Sequence, residues 1–254
     1  MPFLQHLEEL RRTLIAILVA VAVGTLLTWV FSADVLDWLI GRTSGTAIFL
    51  KPQGAFLARL KVAFVLGLLL VLPYVFYRLW SFIGPGLLSR ERRIVMPSVL
   101  ASVALFYLGI TFSYFVLTPV MITVLMGFGT SILTAQMEIN FLLDLVFMTG
   151  IACGLTFQLP LLAAFLTSVG VIRPVFLRAY WRHAIVLVFI AAALLTPADP
   201  LSQIILAVPL TLLYAVSYFV STAVYRGKVR RRAEEEEATP EPGQPPEPDP
   251  DEDR

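Results

Sequence analysis

The chain has 254 residues, of which 58% are hydrophobic and only 15% charged, with a mean hydropathy of +0.82. A soluble domain averages roughly 45–50% apolar and about 25% charged residues, so an ordinary soluble enzyme is excluded and a membrane-embedded helical bundle is left. A single cysteine, Cys153, inside an apolar block rules out a disulfide scaffold, and the net charge of +1 hides a balance of +5 over residues 1–220 against −4 over residues 221–254.

Residues 2–12 form an amphipathic segment. Phe3, Leu7, Leu10 and Leu14 share one helical face, while Glu8, Glu9, Arg11 and Arg12 fall elsewhere. Such a segment lies in the membrane interface before the chain turns inward. The first span, 13–31, carries no charge. It is longer than the cleaved core of a secretory signal, about 7–15 residues, and two glutamates precede it, so it reads as an uncleaved span. Further spans are predicted at about 62–82, 94–117 and 141–169, the last interrupted by Asp144 and Pro160. A fifth, 182–195, is short: its uninterrupted apolar part rises about 18 Å, against roughly 30 Å of hydrocarbon. Pro197 and Pro200 turn it into a sixth span, 202–220, and the last two form a short hairpin. Residues 221–254 hold an arginine run, then glutamates, then a Pro/Glu/Asp stretch; a disordered basic-then-acidic tail is expected there.

Basic residues set the orientation. With the N-terminus inside, the inner segments hold fifteen Lys/Arg and the outer ones four. Both termini are therefore expected in the cytoplasm.

Three features carry chemistry. Glu8 and Glu9 near the inner boundary read either as surface charges paired with Arg11 or Arg12 or as acceptors for a cationic peptide. The loop Phe82-Ile83-Gly84-Pro85-Gly86-Leu87-Leu88-Ser89-Arg90-Glu91-Arg92-Arg93 has one acid among three arginines, again a local ion pair or a guanidinium acceptor. Trp80 and Phe82 flank it and offer room for an apolar side chain. Asp144 reads as a hydrated helix end or a functional acid within a span, Asp199 in the outer turn as a turn residue or a functional acid, and Gln158 as a partner either for the carbonyl freed by Pro160 or for an incoming polar group. The sequence offers no Gly-rich phosphate loop, His pair or Cys/His cluster, so neither metal nor cofactor is expected. Secondary transport of a small solute is the alternative function, but no three-plus-three repeat and no midplane charge support it. An intramembrane enzyme would need a nucleophile–base pair that the spans lack.

His6-Leu7-Glu8-Glu9-Leu10-Arg11 resembles the N-terminal H-L-x-E-L-R signature of TatC, the polytopic receptor family of the twin-arginine protein translocase. Phe82 to Leu87 followed by Glu91-Arg92-Arg93 resembles that family's first cytoplasmic loop. Phe106-Tyr107-Leu108-Gly109 with Tyr114-Phe115, Phe157-Gln158-Leu159-Pro160, and Thr196-Pro197-Ala198-Asp199-Pro200 with Ser202-Gln203 resemble its third helix, fourth helix and last periplasmic turn. The resemblance runs from residue 6 to about residue 220. It implies a concave, glove-like bundle of six helices in the bacterial cytoplasmic membrane and a non-enzymatic role. The receptor would bind Arg-Arg signal peptides of folded cargo and recruit TatA-like and TatB-like single-span subunits. It would self-associate in a larger complex, export cargo with the proton-motive force, and have no nucleic-acid partner. By the same resemblance Glu9 and Glu91 contact the two arginines, and Arg11, Phe82, Pro85, Leu87 and Arg93 shape the site. Gln158, Asp199 and Tyr114 are implied as intramembrane polar or partner contacts. Two positions depart from the pattern: Gln158 stands where the family usually has a glutamate, and Pro52-Gln53-Gly54-Ala55-Phe56 lacks an acid usual in that loop. Gln158 cannot titrate, so no proton relay is expected there.

Overall fold

The computed structural model describes residues 2–43, 47–83, 95–128, 136–196 and 200–237. Helix α1 spans Pro2–Thr28 and passes through a 3-10 turn, Trp29–Phe31, into α2, Ser32–Thr43. Helix α3 is Gly54–Ile83 and α4 is Val95–Phe112. A π-helical turn, Ser113–Leu117, joins α4 to α5, Thr118–Met126. Helix α6, Ile139–Thr156, bends at Phe157 and Gln158 into α7, Leu159–Val169, with Pro160 in its first turn. Short α8, Pro174–Ala179, precedes α9, Trp181–Leu195, and α10, Pro200–Glu237. The only extended pairing among the described residues is an isolated parallel bridge between Ile48 and Glu138.

Five continuous helical runs are long and apolar enough to cross a bilayer, and Trp181–Leu195 is the shorter sixth. The count therefore agrees with the six spans predicted, including the short member of the last pair. Several boundaries do not. The segment between the first two spans contains α2 and the first turns of α3. The third span continues through the π turn to Met126, nine residues past the expected end at 117. Helix α10 continues to Glu237, where the composition predicts a tail from residue 221. That helix is held beyond 220 by tertiary contacts that composition does not reveal. Ser221 is buried and its hydroxyl meets that of Thr167 at 2.7 Å, and Lys228 Nζ donates to the Ser168 carbonyl at 2.8 Å.

Helix α6 sits at the centre. Phe141, Asp144, Met148 and Leu155 form an exposed stripe on one side of it, while Leu142, Leu143, Leu145, Val146, Ala152 and Cys153 all belong to the core. Against it pack Ala58 and Val62 of α3, Met121 of α5, Ala192 of α9, and Leu206 and Leu210 of α10. Small residues permit the closest approaches, the usual device where lipid offers no hydrophobic drive between helices. A Cβ built on Gly24 of α1 would meet the Gly67 carbonyl of α3 at 2.8 Å. One built on Gly109 of α4 would meet the Cys153 carbonyl of α6, also at 2.8 Å. The outward faces stay apolar: Leu26 is 74% exposed, Leu187 69% and Leu194 82%, a surface made for hydrocarbon.

Candidate functional site

Helices α1 and α3 run antiparallel, crossing at Gly24 and Gly67. The first turns of α1 therefore lie beside the last turns of α3, and Arg12, Ile15, Ala16 and Tyr74 border one open cleft. This brings the Glu9 and Arg11 region to the same end of the bundle as Phe82. Glu8 and Arg12 form an i,i+4 ion pair at 2.6 Å, both largely exposed. Glu9 and Arg11 are also exposed, and neither has an ion-pair partner among the described residues. Of two adjacent acids, Glu8 is neutralised locally and Glu9 is not, among the described residues. Phe82 is half-buried at the end of α3. Pro85, Leu87, Glu91 and Arg93 lie outside the described residues, as does Asp199.

Trp80 does not flank an open site. It is 4% exposed; its indole N–H donates to Ser102 Oγ at 2.9 Å, and its ring meets Phe165 edge-on at 4.7 Å. This corrects the expectation that it takes an incoming side chain: Trp80 clamps α3 onto α4 and α7. Gln158 belongs to the same polar knot. Its side-chain Nε2 donates to the Ser102 backbone carbonyl at 3.0 Å, and the residue is 7% exposed. The acceptor is thus in α4, and not the carbonyl left free by Pro160. Three helices meet on Ser102, where the bend between α6 and α7 places Gln158.

Tyr114 lies in the π turn. Its ring stacks on Trp38 of α2, with centroids 5.4 Å apart and planes inclined 22°, and touches Phe115 edge-on. Its hydroxyl, with that of Thr118, is buried without a hydrogen-bond partner among the described residues. A π turn widens the backbone locally and often marks a functional position in a helix. Sequence reasoning missed two arrangements. Asp144 is not merely a hydrated helix end: Lys61 Nζ reaches it at 2.6 Å, tying α3 to α6, with the two side chains 36% and 54% exposed. Arg59 covers the Trp29 ring, 5.2 Å from its centroid, and bonds Ser32 Oγ at 3.3 Å. Their signal was visible: Arg59 and Lys61 are basic residues in the first turns of an apolar helix, which calls for partners.

The chain as a whole is similar to known proteins. Residues 5–209 match the family model described as TatC, Sec-independent protein translocase protein. The chain is 34% identical over 219 residues to the Sec-independent protein translocase protein TatC of Helicobacter pylori strain J99, covering 86% of this chain and 88% of that protein. It is 33% identical over 239 residues to the TatC of Aquifex aeolicus, covering 90% of this chain and 98% of that one. A crystal structure of the twin arginine translocase receptor TatC superposes with a TM-score of 0.79 at 30% identity, over 86% of this chain and 99% of that chain.

Proposed function

The chain belongs to the TatC family of Sec-independent protein translocase proteins, multi-pass and non-enzymatic, and from that premise we propose that it is the signal-reading receptor of a twin-arginine translocase. It binds the consecutive arginines of a cargo signal peptide through Glu9 and Glu91, with Arg11, Phe82, Pro85, Leu87 and Arg93 around them. TatA-like and TatB-like single-span subunits join it, together with further copies of itself. The assembly exports folded proteins across the bacterial cytoplasmic membrane on the proton-motive force, with both of this chain's termini inside. Gln158, Tyr114 and Asp199 are polar or partner contacts at membrane depth.

One observation carries the reading: Glu9 is exposed and has no ion-pair partner among the described residues, while its neighbour Glu8 is tied to Arg12 at 2.6 Å. The free acid is the one that falls on the motif. A carboxylate accepts a guanidinium through two parallel hydrogen bonds, which an ammonium cannot reproduce. Removing such a carboxylate costs about 2–5 kcal/mol where the contact is desolvated and about 0–1 kcal/mol where it is exposed. The test is site-specific photo-crosslinking of an Arg-Arg signal peptide to the inner face, with a Lys-Lys peptide as control. Glu91→Ala and Glu9→Ala should each reduce crosslinking, and Glu8→Ala should leave it near wild type. Full crosslinking in the Glu9→Ala, Glu91→Ala double variant would overturn the site.

A further inference from the structure

The second half of α10 carries a cleft of about 460 Å³ against α8, bordered by Arg173, Pro174, Arg178, Tyr218, Tyr225 and Arg226. Helix α8 is fixed there: Pro174 is buried, and the Tyr214 hydroxyl donates to the Leu177 carbonyl at 2.7 Å. The three guanidinium groups are exposed, and none has an acidic partner among the described residues, unlike Arg12, Lys61 and Arg230. A second cleft of about 290 Å³ shares Arg173 and Tyr225 and adds Lys228. Three like charges around one concavity repel one another unless an anion sits among them.

Depth decides which anion. At 1.5 Å per residue, Tyr218 lies about 27 Å and Arg226 about 39 Å along α10 from Pro200. A hydrocarbon layer of roughly 30 Å therefore ends within the cleft, with two tyrosines at headgroup level. Val175 on its wall is 74% exposed, and Phe219, whose ring meets that of the lining residue Tyr218, is 68% exposed. An acyl chain has a use for that apolar margin; a soluble anion does not. We propose that this cleft binds the phosphodiester headgroup of an anionic phospholipid, with Arg173, Arg178 and Arg226 around the phosphate and the acyl chains along Val175 and Phe219. The inference rests on the membrane-spanning fold and not on the signal-peptide reading, so either can fail alone.

The test uses the full chain in phosphatidylcholine nanodiscs containing a small fraction of photoreactive phosphatidylglycerol, with photoreactive phosphatidylcholine as control. Label from the phosphatidylglycerol should map to peptides spanning 173–178 and 218–226 and exceed the control by an order of magnitude. Each guanidinium near an anionic headgroup adds roughly fivefold in affinity, so the Arg173→Gln, Arg178→Gln, Arg226→Gln triple variant should lose the preference. The corresponding triple Lys variant should keep most of it, which separates charge from misfolding. Equal labelling by the two lipids, or an unchanged preference in the Gln variant, would overturn the proposal. Displacement of the lipid by millimolar glycerol phosphate would do so too, by making free phosphate the occupant. A severalfold gain in labelling on removal of residues 233–254 would assign the cleft to the chain's own acidic tail instead.

Discussion

Ser102 is a small residue with a large share in this bundle: its hydroxyl accepts from Trp80 and its carbonyl from Gln158. Two buried hydrogen bonds from distant parts of the chain end on one residue, so their contributions should couple. Gln158→Leu is expected to lower stability by about 0.5–1.5 kcal/mol, the usual net value of one such bond. Trp80→Phe should cost more, because indole packing against Phe165 is lost as well. The double variant should fall short of the sum when thermal unfolding is followed in detergent; strict additivity would show that the bonds act separately. Gln158 was conspicuous in the sequence as a polar group beside Pro160 at membrane depth. Its partner was not legible, because a backbone carbonyl 56 positions away leaves no residue type to recognise. The Lys61–Asp144 pair was half legible, each charge being conspicuous in an apolar helix. Lys61→Ala should strand Asp144 at the edge of the hydrocarbon and destabilise the fold. The charge-swapped pair Lys61→Asp, Asp144→Lys should restore at least half of the loss, by the same unfolding measurement.

Among the helices, the closest approaches are set by glycine, and they differ in a way that makes a sharp comparison. A Cβ on Gly67 would run into the backbone of Gly24 and Thr25, which cannot yield unless α1 and α3 separate. A Cβ on Gly150 would meet nothing within 4 Å. Gly67→Ala should therefore cost about 1–3 kcal/mol, as overpacking does. Gly150→Ala should be neutral or stabilising by up to about 1 kcal/mol, since alanine is the better helix former. Denaturant titration of the two variants side by side checks this, and equal effects would contradict the packing described. The spans were legible because hydrocarbon demands uninterrupted apolar runs. Helix α2 was not, because Asp34, Asp37 and Arg42 give it the composition of a loop. Its apolar residues nonetheless fall at helical spacing: Leu39 is buried in the core, and Val35, Leu36 and Ile40 pack against it. The π turn has no sequence signature, since one residue more per turn is a response to packing.

For the whole molecule, the imbalance of fifteen basic residues against four bears on how the bundle sits in the membrane. A reporter fused after residue 220 should be protected from the outside, and one inserted near Thr130 should be accessible. The same chain end tests where the folded unit stops. Composition placed that boundary at 220, because a charge-rich, proline-rich segment cannot bury a core of its own. It can still borrow one. Thr167 and Ser221 meet in the interior, and Lys228 reaches past Gly170, whose left-handed φ of 94° ends α7, to the Ser168 carbonyl. Truncation after Val220 removes both contacts and should lower stability by about 1–3 kcal/mol, with loss of membrane-inserted protein at raised temperature. Truncation after Arg232 keeps both. Among the described contacts it removes the exposed Arg230–Glu234 pair, with side chains 82% and 56% exposed, which is worth little. It should leave unfolding within about 0.5 kcal/mol of wild type and export intact. Equal stability of the two truncations would place the end of the folded unit at 220 after all; equal loss would place it beyond 232.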